Sequence, residues 1–342
     1  MSEVAASSAG ALTVSVALCT YNGERFVREQ VRSICLQTRP PMEIVLSDDA
    51  SRDACVEVAR ATVEECLRER PGLAIALRVI VNPVGLRVVK NFEQAVRACG
   101  GTLIALSDQD DAWVPERLER LVAEFERRPE LRLLHSDARL VDAQGAPLGG
   151  TLFHAIEVTA GELERMHAGQ AFDVLLRRNI VTGATTVFHR ELLDAVLPFP
   201  VEWVHDEWIA TVASAFARID TVEAQLIDYR QHGGNQIGAR RDTFMEKVRK
   251  ALASRGTTHV ERARKAELLL ERLEQVARAG RPVTADTLDK LRGKIVHQRF
   301  RTQLPASRWA RVLPILREAR TGRYDRFGRG FRGVVRDLFE SV

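Results

Sequence analysis

The sequence predicts an α/β fold, a mostly parallel mixed sheet flanked by helices, with a helical C-terminal extension. Three observations carry this. Through residue 136, short β-branched apolar runs alternate with stretches of helical apolar spacing, the pattern of a largely parallel sheet covered on both faces. The first four apolar runs end in polar, turn-forming clusters, "TYNG", "SDDASRD", "NPVG" and "SDQDD", and open α/β sheets bind ligands beyond the carboxyl ends of their strands. Charge is also segregated. Residues 240–342 hold 26 Lys and Arg against 12 Asp and Glu, a net +14, which leaves −10 for residues 1–239.

Taken in order, residues 14–19 ("VSVALC") read as the first strand and residues 24–37 as an amphipathic helix stopped by "TRPP". Strands at 43–46, 77–81, 103–106 and 131–135 alternate with helices at 54–70, 88–98 and 115–127, the last opened by a first-turn proline. Beyond residue 136 the pattern loosens. Residues 172–178 and 208–217 read as helices, 180–188 as a strand with a Gly turn, and 218–230 as a strand pair leading into the Gly-rich "QHGGNQIG". From residue 242 onward the chain reads as mostly helical. The expected division is a disordered lead-in at 1–12, an α/β domain at 13–239 and a basic helical region at 240–342.

Composition narrows the function classes. An apolar fraction of 45% and a charged fraction of 28% suit a soluble globular protein. No 18-residue apolar run exists, and "MSEVAASSAGAL" lacks the basic and apolar regions of a signal peptide. The five cysteines fall in the first hundred residues without a CxxC, as expected of buried, reduced thiols in a cytoplasmic protein rather than a zinc site. The basic tail suggests an anionic partner, membrane phospholipid or nucleic acid, or else the solvated face of an Arg-rich helical region.

The chemistry concentrates in the polar clusters. "SDQDD" sets Asp108, Asp110 and Asp111 within four positions after a buried strand. Like charges this close repel, so a cation is expected. Mg²⁺ and Mn²⁺ accept one or two carboxylates together with phosphate oxygens. The D-x-D spacing points Asp108 and Asp110 to one side and leaves Asp111 for substrate or for capping the next helix. Asp48 and Asp49 end the second strand, where an acid can accept hydrogen bonds from a ribose or base. Arg87 and Lys90 are candidates for phosphate contact. Neither GxGxxG nor GxxxxGK[ST] is present, which argues against a dinucleotide site and a P-loop.

With these stretches in hand, "VALCTYNGERFVREQVRSICLQT", "IVLSDDASRD", "NFEQAVRACGGTLIALSDQDDAWVPERL" and "HDEW" followed by "YRQHGGN" resemble a family 2 inverting glycosyltransferase of GT-A fold, and more narrowly its rhamnosyltransferase-like bacterial surface-polysaccharide members. The resemblance covers residues 13–238. It implies that Thr20, Tyr21, Asn22, Asp48, Asp49, Asn91 and Asp108 bind the donor nucleotide, with Tyr21 near the base. It implies Mn²⁺ or Mg²⁺ held by Asp110 with Asp108, and His232 as a further candidate. Asp206 becomes the acceptor-activating base, with Glu207 as the alternative, and Gly183 and Trp208 lie on the acceptor side. The implied partners are a nucleoside-diphosphate sugar (dTDP-rhamnose or a UDP-sugar) and a glycan or lipid-linked glycan, met on the inner face of the cell membrane. The processive QxxRW signature is replaced by "YRQHGGN", which implies single transfers. Two other readings compete. A haloacid-dehalogenase-type phosphatase wants its acidic motif on the first strand, followed by Thr or Val, whereas here it follows the fourth strand and precedes Asp111. A non-catalytic nucleic-acid binder rests on the basic tail alone and lacks an aromatic RNA-binding motif, so no nucleic-acid partner is expected.

Overall fold

The computed structural model describes residues 11–232 and 256–339, with the side chains of residues 256–258 excepted. Residues 1–10 of the lead-in, the "GGNQIG" run and the boundary at 239/240 lie outside the described residues.

The first half alternates as its sequence predicts: β1 (Val14–Thr20), α1 (Glu24–Cys35), β2 (Glu43–Asp48), α2 (Cys55–Glu69), β3 (Ala76–Val81), α3 (Arg87–Ala98) and β4 (Leu103–Ser107). The four strands pair in parallel in the order β3-β2-β1-β4. All residues of β1 and β4 are buried, as unbroken apolar runs require in a sheet covered on both faces. Helix α1 turns Val27, Val31 and Ile34 inward. The registers align Thr20 with Asp48 and Leu18 with Ser107. The loops that follow β1, β2 and β4 therefore open on one edge.

The second half runs β5 (Ala112–Trp113), α4 (Arg117–Arg127), β6 (Leu131–Val141), β7 (Pro147–Thr151), α5 (Leu152–Ala155), α6 (Ala160–His167), α7 (Ala171–Arg177), β8 (Thr186–His189), α8 (Leu193–Val196), α9 (His205–Ser214) and β9 (Arg218–Arg230). The sheet continues from β4 through β8, β6 and β9 to β5, with β7 paired on β6, giving nine strands among the described residues. Strand β8 is antiparallel to both β4 and β6, while β6 and β9 are parallel.

Several elements differ from expectation. The predicted strand pair at 218–230 is one 13-residue strand whose register against β6 slips near Asp137; such irregularity interrupts the two-residue alternation and imitates a turn. Only Thr186–His189 of the predicted 180–188 strand joins the sheet, because Gly183–Thr185 turns in a 3₁₀ helix. Helix α9 begins at His205 rather than 208, which puts Asp206 and Glu207 in its first turn, where the helix dipole favours acids.

The C-terminal region forms α10 (Gly256–Arg278), α11 (Ala285–Thr302), α12 (Arg308–Arg320), α13 (Arg323–Phe327) and α14 (Phe331–Phe339). Leu269 and Leu273 of α10, Leu291 and Ile295 of α11, and Phe327 join one core with Trp208 and Ile209 of α9. The basic region thus packs on the α/β domain through its apolar side. Asp337 ties its end together, accepting two bonds from Arg301 (2.7 and 2.5 Å) and one from the Tyr324 hydroxyl (2.7 Å). Among the described residues, no helix is long and apolar enough to cross a membrane. All five cysteines are buried and unpaired.

Candidate functional site

A cleft of about 380 Å³ opens where β1, β2 and β4 end, and the start of α9 closes its far side. Thr20, Tyr21, Asp49, Asn91, Asp108, Asp110, Gly183 and Asp206 line it, so most of the residues singled out from the sequence meet there. The remaining ones sit elsewhere. Asp48 is buried in its own loop, where Oδ1 accepts from the Thr20 and Ser51 hydroxyls (2.8 and 2.5 Å) and Oδ2 from the Ser51 N–H (2.8 Å). Asn22 bridges the same loops: its N–H donates to Ser51 Oγ and its Oδ1 accepts from the Arg52 N–H. Trp208 is a core residue whose indole N–H donates to the Val196 carbonyl (2.7 Å). Glu207 faces away from the cleft and pairs with Lys265 at 3.0 Å. Lys90 is engaged by Glu93 and the Phe199 carbonyl, both at 2.7 Å.

Asp49 fixes the opposite rim. Its two oxygens accept the backbone N–H groups of Leu86 (2.5 Å) and Arg87 (2.9 Å), which tethers the "NPVGLR" loop. Asn91 accepts from Ser47 Oγ (2.6 Å) and donates back to the Ser47 carbonyl (2.9 Å). Backbone strain gathers here as well: Asn22, Ala50 and Arg87 all hold positive φ, at 48°, 64° and 65°. Non-glycine residues hold such angles only where their surroundings over-determine them.

The acidic run divides its labour. Asp111 is buried and neither caps α4 nor reaches the cleft; its Oδ1 accepts the Arg230 N–H across the sheet at 3.0 Å. Asp110 Oδ2 lies 2.7 Å from His232 Nε2, whose ring stacks on Phe26 at 4.7 Å. Asp108 is pushed up to about 7, first by burial and then by the charges of Asp110 and Asp206. No Lys or Arg lines the cleft among the described residues. A carboxylate site without a cation suits an oxygen-ligated divalent ion. Among the described residues no three His, Cys, Asp or Glu side chains form a ready-made cage, which fits an ion that draws its remaining ligands from water and phosphate and does not fit an all-protein site.

Across the cleft, Asp206 Oδ2 accepts the Gly183 N–H at 2.6 Å and Oδ1 accepts the Glu207 N–H at 2.5 Å. Burial lifts it to about 6, against the pull of those two N–H groups. Its neighbour His205 stacks on Phe92 with centroids 3.9 Å apart. Burial drives that ring down to about 3, and neither ring nitrogen finds a partner among the described residues.

Sequence reasoning missed three contributors. Gln109 sits between the two aspartates and clasps the Tyr21 backbone, accepting from its N–H (2.7 Å) and donating to its carbonyl (3.0 Å). Gly23 leaves the necessary room, since a Cβ there would lie 2.2 Å from Gln109 Oε1. Arg230 is almost wholly buried; it donates to the Asp110 carbonyl (2.7 Å) and pairs with Glu29 (2.6 Å), bracing the acidic loop. His205 is the third. Gln109 lies inside the D-x-D, and His205 and Arg230 lie inside "HDEW" and "YRQHGGN", where neighbouring residues drew the attention.

The profile of glycosyl transferase family 2 matches residues 15–195. An uncharacterized protein of Mycobacterium tuberculosis is 26% identical over 195 residues, 56% of this chain and 51% of that protein, so the chain spans about half the length of that relative. An uncharacterized glycosyltransferase of Nostoc is 24% identical over 230 residues, 66% of each chain. The putative teichuronic acid biosynthesis glycosyltransferase TuaG of Bacillus subtilis is 25% identical over 219 residues, 64% of this chain and 78% of that one. Among solved structures, S. aureus TarS in complex with UDP-GlcNAc superposes with a TM-score of 0.56 at 18% identity, over 84% of this chain and 73% of that one; this is a likeness of fold.

An acid whose pKa is raised holds its proton to higher pH, so a reaction that needs Asp206 ionised should fade as pH falls through about 6. Asp206→Asn should lower kcat by about 10²–10⁴-fold, the usual size of a general-base contribution, and should remove that limb of the pH–rate profile. A Glu207→Gln variant that loses as much would move the role to Glu207.

Proposed function

The chain belongs to glycosyl transferase family 2, and from that premise we propose an inverting, metal-assisted transferase. It moves one sugar from a nucleoside-diphosphate donor to a hydroxyl of a glycan or lipid-linked glycan in surface-polysaccharide synthesis. The observation that carries the reading is the buried Asp206, held by two backbone N–H groups, facing the acidic pair Asp108 and Asp110 across a cleft that no Lys or Arg lines among the described residues. The names of TuaG and TarS's bound UDP-GlcNAc support a polysaccharide setting and a sugar-nucleotide donor. The joint resemblance of the quoted motifs to rhamnosyltransferase-like members points to dTDP-L-rhamnose, with a UDP-sugar as the alternative.

In this reading the donor diphosphate lies against Asp108 and Asp110, and Tyr21, half-exposed at the rim, stacks on the base. Asp110, with Asp108 and His232, would hold Mn²⁺ or Mg²⁺, which when bound offsets the charge gathering on the diphosphate. Asp206 takes the acceptor hydroxyl's proton as that oxygen attacks the anomeric carbon from the face opposite the diphosphate. The C1–O bond breaks and its electron pair leaves with the diphosphate. Burial makes Asp206 a stronger base than a solvated carboxylate, yet it remains ionised at neutral pH. The Gly183 N–H holds it in one orientation, so the acceptor finds its base already aimed.

The surface favours peripheral contact with an anionic leaflet on the cytoplasmic side. Trp309, Leu313 and Leu316 of α12 and Phe331, Val335 and Phe339 of α14 are exposed at helical spacing, Trp309 by 89%. Arg308, Arg317, Arg320 and Arg332 stand among them. Basic residues beside apolar anchors hold a helix in an anionic interface.

Two measurements test these statements. Sugar nucleotides incubated with Mn²⁺ or Mg²⁺ should be hydrolysed slowly, and NMR of the freshly released sugar should show the inverted anomer first; a retained anomer, or no turnover of any dTDP-, UDP- or GDP-sugar, contradicts the reading. The chain should co-sediment with phosphatidylglycerol vesicles in a salt-sensitive way, and Trp309→Ala with Leu313→Ala should abolish it; unchanged sedimentation of the double variant would remove the membrane contact.

A further inference from the structure

A second, larger cavity of about 880 Å³ lies between the α/β domain and the C-terminal helices. Nine of its lining residues are Lys or Arg and three are Glu. Three of the cations are already paired, Arg178 with Glu162 at 2.7 Å, Lys265 with Glu207 at 3.0 Å and Arg301 with Asp337 at 2.5 Å, and Arg262 and Arg336 are engaged as well. Lys294 reaches inward and donates to the Leu176 carbonyl at 2.6 Å, without a carboxylate partner among the described residues. Burial pushes its ammonium down to about 8. Arg329 and Arg332 stand exposed at the mouth, also without ion pairs among the described residues.

Gathering like charges in a half-enclosed space costs free energy unless an anion shares it. The lining is also apolar in part: Phe327 and Phe331 stand beside the cations, and Phe331 is 78% exposed. Cations beside exposed apolar surface suit an organic anion such as a sugar that carries a phosphate. The cavity is far larger than one phosphate needs and falls in the range of whole-ligand pockets.

Its position ties it to the cleft. Asp206 lines the donor cleft and Glu207, the next residue in the first turn of α9, lines the basic cavity. The two spaces meet at one helix start, and the Lys265–Glu207 pair forms part of the dividing wall.

We propose that this cavity is an anion-binding site for the acceptor and that it takes the phosphate of a phosphate-bearing glycan, held by Lys294, Arg329 and Arg332. This deepens the transferase reading and rests on it. Guanidinium groups bind phosphate through paired N–H bonds. The charge of Lys294, Arg329 and Arg332 then becomes affinity for one class of ligand. It also accounts for the uneven charge of the chain: the basic C-terminal region supplies the acceptor's counter-charge, and the acidic domain supplies the chemistry.

The test uses the full-length chain in chelator, so that the metal-dependent cleft is silent. Tripolyphosphate binding by calorimetry should weaken tenfold or more in Lys294→Gln and in Arg329→Ala with Arg332→Ala, and should be unchanged in Asp110→Ala. Sedimentation with phosphatidylglycerol vesicles forms the second arm. Dependence of vesicle binding, but not of tripolyphosphate binding, on Lys294 keeps the cavity and makes a lipid-borne phosphate its ligand. Affinities that none of the cavity variants alters, or that Asp110→Ala abolishes, overturn the proposal. Slow hydrolysis of the donor should persist in the cavity variants. Its absence from the parent chain would instead count against the transferase reading, whatever the phosphate data show.

Discussion

Mutual repulsion among buried carboxylates is the constraint around which the molecule is arranged. Asp108, Asp110 and Asp111 follow a strand with no exposed residue, and Asp206 faces them from α9. Each acid is treated differently. Asp111 accepts the Arg230 N–H through one oxygen, yet burial and then the charges of Asp110 and Asp108 still push its carboxyl well above the usual range. Asp110 meets His232. Asp206 is satisfied by backbone N–H groups. Asp108 is pushed up to about 7, first by burial and then by the charges of Asp110 and Asp206. The surrounding loops are braced to hold this arrangement, by Arg230 behind the acidic turn, Gln109 across to Tyr21, and three positive-φ residues at the strand ends. Braced, like-charged sites of this kind are characteristic of ion and phosphate chemistry.

What the sequence made legible follows from range. The first four strands and the turns after them are written locally, in apolar runs that end in polar clusters, and the parallel half of the sheet could be read from that alone. Antiparallel β8 reads as the end of a longer strand at 180–188, and the two-residue β5 is too short to announce itself. Asp48 and Asp49 look alike in sequence, but successive strand residues point to opposite faces; one turns into its loop and the other to the cleft rim. Asp111 answers to Arg230, 119 positions later, a distance at which spacing carries no information. Trp208 beside the catalytic candidates is simply the apolar side of α9.

The basic tail was ambiguous for a related reason. Its Arg-rich helices read equally as a free anion-binding appendage and as the solvated outside of a packed region. In the structure its leucines enter the main core while its cations turn partly outward and partly into the cavity over α9. The leucines follow the packed reading, and the long basic side chains reach beyond the apolar face they accompany.

If repulsion in the acidic cleft is what organises the site, the most direct test is Mn²⁺ binding itself, followed through the electron paramagnetic resonance signal of the free ion. The account predicts that the parent chain with UDP removes about one ion per molecule from solution and that Asp110→Ala leaves the signal free. Equal binding by the two proteins, or no binding by the parent with any nucleoside diphosphate, would contradict it.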